Sequence, residues 1–440
     1  MLKPEQVLQA RTVSMANVLF ICPTHRDHRE LARLNGRAPH NYFFHDYASL
    51  ALEDLTAGEP PSGEAIPDAL QELERVLTRC DQEKIQAVAS TDDYPGSTMA
   101  SLVAAARRLP GTAPQANLFC QHKFFSRQLQ AAAAPEVVPE FQLIDVAGEV
   151  AGDVLMKFPF FVKPVKSFFS VGAQQIASLL QLWEVKAKWA RSAAFFQPFD
   201  LFLQKYTGRA IGTKFLLAEG LLEGWQATLD GYVYEGKVYP MGVVDSIMFP
   251  GTIAFQRFDY PSRLPESVQQ RMLQVAQRVL PRLGFEHGQF NIEFMCDLAA
   301  DRLSIIEINP RMSSQFADLF EKVDGTNSYS VLLDLAFGKP PSTTQRKGKY
   351  DAAASCVLRT FQDQRVLRLP SAEEIEEVEA RYPDTRVEIL ATAGRKLSEQ
   401  MQDSCSFRYG LINIGASDGE EVLQIFDDCL NRLTFSLQPV

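Results

Sequence analysis

The 440-residue chain has no CxxC pair, no run of 18 apolar residues, no basic run, no internal repeat and no low-complexity tract. Its seven cysteines, Cys22, Cys80, Cys120, Cys296, Cys356, Cys405 and Cys429, are odd in number and scattered. That pattern argues against a zinc site and a disulfide framework and suits a reducing compartment. There are only six histidines, and the His25-x-x-His28 spacing reads as polar loop residues. Lys plus Arg number 44 against 54 for Asp plus Glu, a net charge of −10. An acidic chain without a basic run is a poor partner for nucleic acid or for an anionic membrane surface. Without a long apolar run no transmembrane helix is expected. The first residues lack the charged-then-apolar order of a secretory signal, so a cytoplasmic protein is expected.

What is present is ordinary for a globular enzyme: 46% apolar and 22% charged residues. The length predicts two to four domains. Residues 17–22, NVLFIC, and 86–90, QAVAS, are short apolar runs with helix-like stretches at 65–80 and 99–109. Strand–helix alternation implies a parallel α/β sheet, whose ligands gather at the carboxyl ends of the strands. The loops PTHRDH and TDDYPGST are therefore candidate substrate loops. Residues 110–115 read as a linker, and Pro340-Pro341 with the polar stretch after it as a second boundary. The expected fold is multidomain, α/β and α+β. Residues 1–115 form an N-terminal parallel α/β domain, 116–341 a two-lobed unit, and 342–440 a small α+β domain.

The most informative stretch is GQFNIEFMCDLAADRLSIIEINPRM. Two alternating runs flank DLAAD, which predicts a hairpin. Phe290, Ile292 and Phe294 share one face, and Gln289, Asn291 and Glu293 the other. In the second run Ile306 and Ile308 share a face, and Glu307, Asn309 and Arg311 the other. A fold about residue 300 sets Glu293 opposite Glu307 and Asn291 opposite Asn309, and the apolar faces then coincide. Opposed carboxylates repel. A hard cation removes that penalty, and oxygen-only ligands favour Mg²⁺. Arg311, on the same face, offers a donor fork to an anion.

The arrangement E-(x)n-E-x-N-x-R on adjoining strands resembles the metal-binding signature of the ATP-grasp superfamily, closest to its biotin-carboxylase-like branch and carboxylate–amine ligases. EINPRMSSQF, DGTNSY and LLDLAFGKPP continue the likeness, which covers residues from about 115 to 341. The resemblance implies that Glu293, Glu307 and Asn309 bind Mg²⁺, with Mn²⁺ as an alternative, and that Arg311 stabilises the transferring phosphoryl group. Lys123 and Lys163 match the family's two nucleotide lysines. KSFFSVGAQQ occupies the place of the glycine-rich lid. It keeps Ser167, Ser170 and Gly172 but has Phe168 and Phe169 where small residues are usual, which weakens its likeness to a phosphate-covering loop. Glu219 and Leu221 align with the adenine hinge, and His287 precedes the metal strand. The activity implied is ATP-dependent joining of a small-molecule carboxylate to an amine through an acyl phosphate. Carboxylation, activation of an enol oxygen and a catalytically silent nucleotide-binding module are the alternatives; no Met-Lys-Met biotin-carrier motif occurs. A homodimer is compatible with this reading. The sequence identifies neither substrate.

Overall fold

The computed structural model describes residues 15–36, 39–47, 68–148, 155–168, 170–400 and 406–440. Phe169, Cys405 and the start of the expected helix at 65–80 lie outside them. Three strands open the chain: β1 (Asn17–Ile21), β2 (Asn41–His45) and β3 (Ala87–Ala89), parallel and in the order β2-β1-β3. Val18, Leu19, Phe20 and Ile21 are all fully buried, as a central parallel strand covered on both faces requires. Strand β2, read from NYFFH, is an addition to the sequence reading. The helices are His25–Asn35, Ala69–Gln82 and Gly96–Arg107. Thr24 and Asp27 form a capping box at the first of these, so its start is written in PTHRDH itself.

Asp27 does more than cap. Its side chain is fully buried, and the hydroxyls of Thr91 and Tyr329 each donate to its Oδ1 at 2.7 Å. The carboxylate thus ties the loop after β3 to the helix Ser328–Ala336.

The next unit is a four-stranded antiparallel sheet in the order β4-β7-β5-β6. Its strands are β4 (Phe141–Asp145), β5 (Phe160–Pro164), β6 (Gln174–Ile176) and β7 (Phe215–Glu219), with helices Leu179–Ser192 and Gln197–Thr207 between β6 and β7. The helix Lys123–Ala133 precedes it.

The largest sheet has eight strands, in the order β12-β11-β8-β9-β10-β13-β16-β15. They are β8 (Trp225–Tyr234), β9 (Lys237–Met248), β10 (Phe255–Tyr260), β11 (Gly288–Asp297), β12 (Arg302–Asn309), β13 (Ala352–Thr360), β15 (Arg386–Ile389) and β16 (Phe407–Ala416), while β14 (Gln364–Arg368) pairs with β17 (Ser436–Pro439). Glu235 and Gly236 both have positive φ, 49° and 74°, the geometry of a two-residue hairpin turn. The 3.6-residue pattern of 267–283 becomes the helix Glu266–Arg282, which buries Val268, Met272, Val275, Ala276 and Val279. These residues share one core with Phe290, Ile292 and Phe294; each fully buried side chain of this size contributes about 1.5–3 kcal/mol. Strands β13, β15 and β16 lie beyond residue 341, so the last hundred residues extend the sheet that carries the hairpin.

Asp27→Ala removes the carboxylate half of the capping box with Thr24 and leaves two buried hydroxyls without an acceptor. The cap is worth about 1 kcal/mol and each orphaned group about 1–3 kcal/mol. The variant should lose about 3 kcal/mol or more of stability in denaturant unfolding, and a loss under about 1 kcal/mol would contradict this role.

Candidate functional site

The hairpin has the register that its alternation predicts. Asn291 pairs with Asn309, Ile292 with Ile308 and Glu293 with Glu307. The Asn309 amide nitrogen donates to Asn291 Oδ1 at 2.8 Å and to Glu293 Oε1 at 3.3 Å. Gln226 of β8 donates to Glu293 Oε2 at 3.1 Å. Burial, and then repulsion by Glu307, hold the Glu293 carboxyl well above the usual carboxylate range.

One expectation about this hairpin is corrected. Beyond the Glu293–Glu307 rung the register shifts, and Phe294 pairs with Ile305. Ile306 is the extra residue of a β-bulge. Ile305, not Ile306, joins Ile308 in the core. The bulge frees the Ile306 carbonyl, which accepts from Lys163 Nζ at 3.0 Å and from Arg127 Nη2 at 2.9 Å.

The facing lobe supplies cations. Lys123 opens its helix, where the His122 side chain accepts from Phe125 N. Its Nζ lies 2.8 Å from Glu307 Oε1 and 3.1 Å from the Ser167 carbonyl. Lys163, on β5, is buried and sits 2.6 Å from Glu219 Oε2. Arg127 takes the other Glu219 oxygen. Burial alone would raise the Glu219 carboxyl; Arg127 and Lys163 bring it below the ordinary range. Burial lowers the Lys163 ammonium, against the pull of Glu219. Glu219 ends β7, and Leu221 is exposed on the loop that follows. Ser170 is exposed on the tight turn before β6, with φ 57°. Gly172 has φ 77°, and a Cβ there would stand 2.8 Å from Pro164 Cγ, so this turn packs tightly at a glycine despite its phenylalanine.

Arg311 follows β12 and reaches the TDDYPGST loop. Its Nε and Nη2 lie 3.2 and 3.0 Å from Asp93 Oδ2. Lys166 approaches the other Asp93 oxygen at 3.2 Å. Burial alone would raise Asp93; Lys166 and Arg311 hold its carboxyl down at about 2. Lys123, Lys163, Glu293, Glu307, Asn309 and Arg311 therefore converge, while Ser170 and Leu221 are exposed on loops. Arg127, Lys166 and Asp93 belong to the same ionic set. Sequence reading named TDDYPGST as a loop but could not select Asp93, and Arg127 lies one helical turn beyond Lys123, a spacing that flags it in retrospect. His287 Nε2 donates to the Leu335 carbonyl at 2.8 Å, which gives it a structural partner. Residues 415–419, GASDG, fit a Gly-x-Ser-x-Gly pattern at a strand-to-helix turn, but Ser417 Oγ donates to Glu421 at 2.6 Å rather than to a histidine. Asp418 beside it caps the helix Gly419–Arg432, accepting from Glu420 N and Glu421 N.

Among the described residues no group of three or more His, Cys, Asp and Glu could hold a metal unaided. The donors here are two opposed carboxylates and one amide. That set fits a hard cation such as Mg²⁺, which keeps waters and needs only one or two protein carboxylates when phosphates complete its shell.

Residues 156–319 match the family model described as an ATP-grasp domain. Among solved structures, an L-amino acid ligase from Bacillus licheniformis is 16% identical, with a TM-score of 0.71 over 96% of this chain and 98% of that one. The biotin carboxylase domain dimer of Hydrogenobacter thermophilus 2-oxoglutarate carboxylase, in complex with MgADP and bicarbonate, is 13% identical, with a TM-score of 0.65 over 96% and 91%. An N5-carboxyaminoimidazole ribonucleotide synthetase from Thermotoga maritima is 14% identical, with a TM-score of 0.61 over 96% and 99%. At these identities the likeness is one of fold. No curated protein matches the chain.

The raised Glu293 carboxyl has a consequence for stability. The folded chain holds this proton more tightly than the unfolded chain does. The contribution is full below the ordinary carboxylate value and is lost as pH rises through the raised one. In EDTA, Glu293→Gln should lose less stability than the parent between about pH 5 and about pH 8. Equal losses in the two proteins, followed by thermal melts, would contradict the shift.

Proposed function

We infer that the chain is an ATP-dependent ligase that activates a carboxylate as an acyl phosphate and joins it to an amine, releasing ADP and phosphate. One observation carries this reading: Glu293 and Glu307 face each other on one rung, and Lys123 from the opposite lobe reaches Glu307 across the cleft. Two acids placed to repel each other, ringed by buried lysines, suit a polyanion with a divalent cation better than they suit an unliganded fold.

The roles follow from position. Glu293, Glu307 and Asn309 hold Mg²⁺, Asn309 through its amide oxygen because its nitrogen is engaged; Mn²⁺ suits the same donors. The ion, when bound, neutralises phosphate charge. Lys123 and Lys163 pair with phosphate oxygens as compact charges. The turn at Ser170 and Gly172 covers the phosphates, and the backbone about Glu219 and Leu221 receives adenine. Arg311 binds the oxygens of the group in transfer, whose chemistry depends on positioning and charge neutralisation more than on covalent help. The proposed division into 1–115, 116–341 and 342–440 places this cleft in the middle unit, with the first contributing Asp93. Of the three structures the L-amino acid ligase has the highest TM-score, 0.71, and this supports an amine as the acceptor. Cytoplasmic location and homodimer formation belong to the same proposal; no described helix is long and apolar enough to cross a membrane.

A screen of acid–amine pairs by ADP release tests the reaction. Release that needs both partners supports the ligase, and tight ATP binding without turnover by any pair counts against it. The lysine assignment is tested separately. Lys163→Ala removes a charge-assisted contact worth roughly 1.5–3 kcal/mol, so ATP affinity should fall about 10- to 150-fold. Unchanged affinity by calorimetry, with the fold intact, would remove Lys163 from the nucleotide site.

A further inference from the structure

One ion pair in the cleft joins two parts of the chain that sequence separates by more than two hundred residues. Arg311 meets Asp93 side-on, through Nε and Nη2 at 3.2 and 3.0 Å. Its Nη1 donates weakly to the Met312 carbonyl at 3.4 Å. A guanidinium has five N–H donors. The side-on grip uses one on Nε and one on Nη2, and so leaves an N–H on each terminal nitrogen.

Asp93 is itself held on every side. Its second oxygen takes Lys166 at 3.2 Å. Lys166 is 1% exposed and lies over the rings of Tyr94, Phe168, Phe196 and Phe199, 5.0 to 5.9 Å from their centroids. An ammonium enclosed by aromatic faces has one strong anionic partner here, and it stays where the rings fix it. The backbone of the loop is equally constrained. Ser97 Oγ donates to the Asp93 carbonyl at 2.5 Å. Gly96 N donates to Asp92 Oδ2 at 2.6 Å, and Ser90 Oγ accepts from Asp92 N and donates to the Ile21 carbonyl. A Cβ at Gly96 would lie 2.4 Å from Ser90 Oγ. With both oxygens occupied by cations, Asp93 is a poor receptor for a substrate ammonium and a good fixed anchor.

We propose that Asp93 is a positioning residue for Arg311. It grips the guanidinium side-on, with Lys166 as its counter-anchor, so that the two terminal N–H groups face the oxygens of the carboxylate or acyl phosphate in the cleft. This rests on the ligase reading and adds to it a residue from the first domain, which contributes to the chemistry by aiming a side chain of the second.

The test uses the full chain and the acid–amine pair that gives the fastest ADP release. Asp93→Asn keeps the shape and loses the charge that fixes Arg311. A misaimed group costs on the order of 100-fold, so kcat should fall by about that factor while ATP affinity stays unchanged. Asp93→Ala should lose as much, and sodium formate, which fits the vacated carboxylate space, should restore kcat in a dose-dependent way in that variant alone. Asp93→Glu keeps both cations neutralised, and so keeps the fold, but moves the carboxylate by one methylene; its kcat should also fall. Parental kcat in Asp93→Asn or Asp93→Glu overturns the proposal, and so does a folded Asp93→Ala that formate leaves inactive. A parent that releases no ADP with any pair is a different result, because it removes the ligase reading itself.

Discussion

Two carboxylates occupy one rung of an antiparallel ladder, and the surrounding structure is arranged around their charge. Glu293 and Glu307 would be a liability in an unliganded sheet, where opposed like charges are destabilising. Here one is compensated from across the cleft by Lys123, and the other is held by amide donors from Gln226 and Asn309. The cost of burying Glu293 remains visible in its raised carboxyl. A fold that retains such a pair keeps a place for cation and phosphate together. The neighbouring cations Lys163, Lys166, Arg127 and Arg311 are each tied to a carboxylate that fixes their direction.

The cleft is assembled from distant parts of the chain, and partly buried ion pairs set how these parts meet. Arg26, beside the capping Asp27, pairs with Glu388 of β15 at 2.9 Å and donates to Ser314 just after the Arg311 segment. Arg386 reaches Glu30 at 2.5 Å and Asp318 at 3.3 Å. Such pairs contribute little as isolated surface contacts. As a connected set between the first helix, the edge of the large sheet and the helix Ala317–Asp324, they fix orientation. The PTHRDH segment, expected to be a substrate loop, instead opens the helix His25–Asn35 and is largely committed to this role.

Period-2 alternation was enough to read the hairpin register from the sequence, because a slip of one residue would have buried the carboxylates and exposed Phe290, Ile292 and Phe294. The apolar period of residues 267–283, which form the helix Glu266–Arg282, and the Glu235-Gly236 pair at its turn are local signals of the same kind. The bulge at Ile306 was not, since II in SIIEIN offers two equivalent apolar residues and only the packing selects Ile305. Asp93 was not, because its meaning lies in Arg311, over two hundred positions away. Lys166 was overshadowed by Lys163 three residues earlier; its aromatic box is drawn from segments that pattern alone does not bring together. The ionic roles of Glu219 and Arg127 likewise depend on two strands and a helix converging, which no local signal encodes.

The central claim is that the Glu293–Glu307 rung holds a divalent cation beside a nucleotide. Anomalous diffraction from crystals grown with Mn²⁺ and a non-hydrolysable ATP analogue tests it directly. The account predicts a manganese peak within coordination distance of carboxylate oxygens of both Glu293 and Glu307, bridging to phosphate, with Lys123 and Lys163 on the phosphate side. A nucleotide bound with its metal away from this rung would contradict it.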